Sequence, residues 1–192
     1  MAIDSSLRDT YETWTELDGD LADADTQLSH DVLKARLECC ASDAPRIACW
    51  SEPEDVLDFR DIPYIDDGDR GHLLDVYVPS DIRLRGGSAT PVFVDIHGGG
   101  FVYGYKDLNR NFNKHLAARG FVVVSLSYRL VPRVDVVDQL SDVAAGLAWV
   151  RDHIREYWGD PGAMFLTGDS AGGALTLLTL AIENNAEAAA AF

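Results

Sequence analysis

Lysine is nearly absent from this chain. Only Lys34, Lys106 and Lys114 occur, and the 192 residues carry 16 basic against 32 acidic side chains, a formal net charge of −16. No Lys/Arg cluster forms a basic stripe, which argues against nucleic acid or an anionic membrane as partner. Cysteine is scarce too. Cys39, Cys40 and Cys49 are an odd set without the paired spacing of a zinc site or a redox C-x-x-C, so reduced thiols in a cytoplasmic protein are the expectation. No apolar run of about 18 residues exists, so no membrane span is expected. The N-terminus also lacks the positive segment and apolar core of a secretory signal.

What is present is the make-up of one folded domain. A hydrophobic content of 47% excludes a disordered chain. From Leu7 to about Trp50 the sequence is acidic and helix-prone. Apolar residues at Leu7, Tyr11, Trp14 and Leu17, and again at Leu28, Val32, Leu33 and Leu37, predict two amphipathic helices around "DGDLADAD". Beyond "SEPED" the period changes to two, and "DFRDIPYI" and "HLLDVYVP" flank "DDGDRG" as the strands of an antiparallel hairpin. Residues 1–54 are therefore read as a helical segment and 55–192 as an α/β core.

Within that core, short apolar runs alternate with helical patterns. "PVFVDIH", "FVVVSLSY" and "AMFLT" suit buried strands. A helix from about Leu108 to Ala118 stops at Gly120, and a longer one carries Leu140, Val143, Leu147, Val150 and Ile154, closed by the turn "GDPG" at 159–162. "AGGALTLLTLAIE" is a helix apolar almost all round, which expects cover on more than one side. This alternation implies a mostly parallel sheet with right-handed crossovers.

Two motifs carry chemistry. Gly168-Asp169-Ser170-Ala171-Gly172 fits G-x-S-x-G between a strand and a helix, the context in which a serine hydroxyl is lifted above the sheet on a strained turn. His97-Gly98-Gly99-Gly100-Phe101 follows the strand "PVFVDI". Consecutive glycines let backbone N–H groups converge on the oxyanion formed when an ester carbonyl is attacked. Gly98 and Gly99 are the expected donors, with the N–H of Ala171 as third. Either motif alone has a plain explanation, a glycine loop or a serine capping its helix. Together, each on the right element, they point to acyl transfer.

With "SYRLVP" at 127–132, these motifs make the chain resemble the α/β-hydrolase fold, in the branch of hormone-sensitive lipase and its bacterial esterase relatives. "HLLDVYVP" is also similar to the second strand of relatives that include feruloyl and acetyl-xylan esterases and kynurenine formamidases. The resemblance covers about residues 55 to 185. It implies a serine carboxylic-ester hydrolase for small acyl esters, with Ser170 as nucleophile and no metal or organic cofactor. It also gives His97 a role supporting the oxyanion loop, with Gly100 and Asp169 beside it. An amidase or formamidase of the same fold, or a non-catalytic module that holds a small carboxylate or ester, remains as an alternative.

In that family an acid and then a histidine follow the nucleophile, and the histidine removes the serine proton. Here His30, His72, His97, His115 and His153 all precede Ser170, and the acids after it are Glu183 and Glu187. Glu183 falls roughly 20 Å along the helix that Ser170 begins. The expectation is therefore an N-terminal part of a longer hydrolase, inactive by itself, with "AMFLT" at an exposed sheet edge.

Overall fold

The computed structural model describes residues 13–17, 26–82 and 90–190. The first of the two helices expected near the N-terminus lies largely outside these residues. The second is α1, Gln27–Ile47, started by a Thr26 capping box with Ser29. Of its predicted apolar stripe, Val32 is buried but Leu28, Leu33 and Leu37 are exposed, and the rest of the buried face includes Arg36 and Ile47. The reason lies in Arg36, whose guanidinium reaches the carbonyls of Glu16 and Val102 and turns that side of α1 inward.

The sheet has five strands: β1 Val56–Pro63, β2 Leu73–Pro79, β3 Thr90–Ile96, β4 Val122–Leu126 and β5 Gly159–Gly168. Their order is β1-β2-β4-β3-β5. The expected hairpin is present, β1 and β2 being antiparallel. β2 is also antiparallel to β4, while β3 runs parallel to both β4 and β5. The crossovers are α2, Arg110–Ala118, and α3, Val136–His153. After β5 come α4, Ser170–Glu183, and a short α5, Ala186–Ala189.

β4 is buried along its whole length, as its run of three valines and Leu126 requires, with Ser125 hydrogen-bonded by Asn113. One face of the sheet packs Val92, Val94, Ile96, Val124 and Leu126 against Leu140, Val143, Leu147 and Val150 of α3 and Leu175 of α4. The other face packs Tyr77 and Val123 against Ala117 of α2. The predicted α3 stripe is thus the buried one. Gly120 ends the α2 unit at φ +105°, a backbone state that suits glycine. The turn expected at "GDPG" sits one residue earlier, on Trp158 at φ +61°, and Gly159 already belongs to β5.

Among the described residues β5 is the last strand in the order and pairs with β3 alone. On its flank Phe165 is 51% exposed, and α4 presents Leu177 at 70%. Among the described residues, no helix is long and apolar enough to cross a membrane.

Candidate active site

Strand register builds this site. Parallel pairing of β3 with β5 sets Ile96 opposite Gly168, so the residues that leave each strand, His97-Gly98 and Asp169-Ser170, emerge side by side. In open parallel sheets this end of adjacent strands is where ligands bind.

Ser170 has φ +49°, an uncommon state for a residue with a side chain, at the junction of β5 and α4. The glycines around it are needed for close approach. A Cβ on Gly172 would press into the Ile96 carbonyl, and one on Gly168 would stand 2.7 Å from the Gly172 backbone. The hydroxyl of Ser170 is exposed toward the pocket and has no hydrogen-bond partner among the described residues.

The glycine loop after β3 is shaped by Gly99 at φ +114° and Gly100 at φ +62°, followed by Phe101 at φ +69°. The Gly98 N–H donates to Asp169 Oδ1 at 3.0 Å, so it already has an acceptor within the fold. A Cβ at Gly98 would meet the Asp169 carbonyl oxygen at 2.9 Å, which shows how tightly the two turns abut. The N–H groups of Gly99, Gly100 and Ala171 have no acceptor among the described residues.

His97 is fully buried, stacked on Tyr128 with ring centroids 4.3 Å apart. Its Nδ1–H donates to the Gly98 carbonyl at 2.7 Å, and its own carbonyl accepts the Tyr128 hydroxyl at 2.8 Å. Desolvation pushes its pKa down to about 4, so the ring is neutral. The other histidines have different occupations. His72 sits between Asp67 and Asp142, His115 bonds the Ser51 carbonyl, and His153 contacts Glu156. Glu183 pairs with Arg151.

A cavity of about 450 Å³ opens over Ser170. α1 supplies Cys39, Ser42, Asp43 and Arg46 to its wall, and the oxyanion side supplies Gly99, Gly100 and Tyr103. Arg46 is braced by Asp43 at 3.0 Å and by the Leu108 carbonyl at 3.3 Å. All three cysteines are free thiols. Burial, with Asp43 adding to it, pushes the Cys39 and Cys40 thiols up, which keeps them protonated and poor nucleophiles beside Ser170.

Sequence reasoning missed Asn109, Asp95 and Asn113. Asn109 donates to Asp169 Oδ1 at 2.8 Å. Asp95, buried on β3, accepts from Asn113 at 2.9 Å and has its pKa pushed up to about 6 by desolvation. The available signals were an aspartate inside a buried-strand pattern and an asparagine where α2 begins. Both have ordinary structural meanings, so neither stood out.

The family model for BD-FAE matches residues 74–191. The probable carboxylic ester hydrolase LipM of Mycobacterium tuberculosis is 39% identical over 126 residues, which is 65% of this chain and 28% of that protein. A probable isoprenylcysteine alpha-carbonyl methylesterase of Oryza sativa subsp. japonica is 38% identical over 117 residues, 59% of this chain and 27% of its own length. Esterase B from Lactobacillus rhamnosis, solved with a tributyrin phosphonate, superimposes with a TM-score of 0.77 at 36% identity, covering 85% of this chain and 52% of that one. The chain therefore spans about a quarter of the length of these curated relatives and about half of that esterase.

Proposed function

The chain belongs to the BD-FAE family and carries an α/β-hydrolase fold, and from that premise we propose that it is the nucleophile-bearing part of a serine carboxylic-ester hydrolase. The observation that carries the reading is Ser170 at φ +49° beside three uncommitted N–H groups, those of Gly99, Gly100 and Ala171.

In the reaction, Ser170 Oγ attacks the ester carbonyl carbon and its proton passes to a general base. The carbonyl oxygen takes the negative charge and accepts hydrogen bonds from Gly99, Gly100 and Ala171. Collapse of the intermediate breaks the bond to the alkoxy oxygen, which leaves with that proton as the alcohol. Water then attacks the acyl-serine, receives the same assistance from the base, and releases the acid. Nothing in these steps calls on a metal or an organic cofactor.

The base is supplied from outside these 192 residues. His97 is buried and holds the loop, and His72, His115 and His153 bond Asp142, the Ser51 carbonyl and Glu156. The cavity under α1 suits a small acyl ester, consistent with the tributyrin phosphonate in the Lactobacillus enzyme.

The test is p-nitrophenyl acetate hydrolysis by the chain and its Ser170→Ala variant, with and without imidazole as an external base. In plain buffer the two are expected to match, and with imidazole the parent is expected to run faster than the variant. Equal rates at every imidazole concentration would remove Ser170 as the nucleophile. A Ser170-dependent burst without imidazole would mean that a base lies within these residues.

A further inference from the structure

Among the described residues five α-helices have defined starts, and three of them are capped in the ordinary way. Thr26, Asp135 and Asn185 each accept backbone N–H groups of the helix they begin. The other two caps are Asn109 before α2 and Asp169 before α4, and neither makes a side-chain bond to its own helix. Both residue types are strong N-caps, so their failure to cap needs a cause. The cause is that they bond each other, Asn109 Nδ2 donating to Asp169 Oδ1 at 2.8 Å. The same oxygen accepts the Gly98 N–H.

The geometry points to this cap-to-cap pair, Asn109–Asp169, as the positioning device of the oxyanion loop: it holds Asp169 on the Gly98 N–H and so presents the next two N–H groups to the space beside Ser170. The inference rests on the reading of Gly99, Gly100 and Ala171 as oxyanion donors. Two consequences of the diverted cap favour it. α4 keeps its first-turn N–H groups free of a carboxylate, which leaves Ala171 N–H available to a substrate oxygen. Gly98 is also pinned directly before the two glycines whose positive φ values turn the loop.

Asn109 is itself anchored from below. Its side chain also bonds Asp95, and Asp95 is held by Asn113, whose amide reaches Ser125 Oγ at 3.0 Å. The anchor is thus built from α2, β3 and β4, while the group it holds belongs to the β5–α4 turn. Asn109 touches no reacting atom and acts through Asp169 and Gly98, which makes it a positioning residue.

The test reads the Gly98 amide in the 192-residue chain by 1H–15N NMR and hydrogen exchange. An N–H bonded to a carboxylate resonates downfield and exchanges slowly. Asn109→Asp, nearly isosteric, replaces the donor with a repelling acceptor. It is expected to move the Gly98 proton upfield and speed its exchange at least about tenfold, as loss of a charge-assisted bond implies. Asn109→Ala removes the donor without adding a charge, and is expected to move the Gly98 proton in the same direction by a smaller amount. A general loss of stability would not single out the Gly98 amide among those of the loop.

An unchanged Gly98 shift and exchange rate in Asn109→Asp would overturn the latch. If that variant does not fold, Asp169→Ala reads the same bond, and an unmoved Gly98 amide there overturns it equally. The imidazole-supported, Ser170-dependent rate is followed in parallel. Absence of that rate in the parent with the Gly98 signature behaving as expected removes the hydrolase reading and leaves the latch. A normal rate in Asn109→Asp with a shifted Gly98 amide removes its part in presenting the donors.

Discussion

α3 and α4 both begin after an aspartate, and the two aspartates do opposite things. Asp135 accepts from Val137 and Asp138 at 2.8 and 2.9 Å, and Asp138 returns the bond to the Asp135 N–H in a full capping box. That start is exposed and serves its own helix. Asp169 leaves α4 uncapped and spends its carboxylate on Gly98 and Asn109. The first turn of α3 has a side-chain cap, whereas that of α4 has none. Local rules are most often broken at functional sites, so the contrast between two equivalent positions marks the start of α4 as the one to test.

The comparison breaks most sharply at the third residue of each helix. Gly172→Ala would drive a Cβ into the Ile96 and His97 carbonyls, backbone that cannot rotate away. The expected cost is more than about 3 kcal/mol, or no folded protein. At the matching place in α3, Asp138→Ala removes one reciprocal cap bond on an exposed surface and should cost below about 1 kcal/mol. Urea unfolding of the two variants checks the ratio, and comparable losses would contradict the close approach of α4 to β3.

A second contrast is with pH. The α3 start faces solvent, while that of α4 stands above buried Asp95, whose pKa is pushed up to about 6 by desolvation, eased by Asn113 and Asn109. Its folded value exceeds the ordinary unfolded value of about 3.9, so the fold favours the neutral form. That contribution is fully present below the unfolded pKa and is lost as pH rises through about 6. Asp95→Asn, a neutral mimic, should therefore gain stability relative to the parent between pH 4 and pH 7.5, by up to about 3 kcal/mol. Denaturant midpoints at the two pH values measure it, and a constant difference would show that Asp95 titrates normally.

The smallest expected effect separates the two caps themselves. Asp135→Ala should lower stability by about 1 kcal/mol, the usual worth of an N-cap, and leave the Gly98 amide unmoved. Thermal unfolding with the NMR readout described above checks both halves.

Much of the fold was legible because its signals are local. The period-two hairpin, the valine-rich β4 and the α3 stripe each follow from burial acting on a few neighbouring residues. α1 was legible as a helix but not in orientation, since its inward face is decided by Arg36 finding carbonyls far away in sequence. At the candidate site, Ser170 and the glycine loop stood out because positive φ and close approach demand glycine at fixed spacings. Which N–H groups are free did not, because Gly98 is distinguished from Gly99 only by a carboxylate 71 residues away.

By itself, then, the sequence determined the strands, the helices, the Ser170 turn between β5 and α4, and the glycine loop, for these are written in hydrophobic period and in the steric needs of glycine. Only the tertiary structure decided that β3 pairs with β5 in the register that sets the two turns side by side. It alone showed two helix caps abandoning their own helices for each other. Hydrogen-bond partners across such distances are chosen by geometry that exists only after the sheet has formed, and no local pattern encodes them.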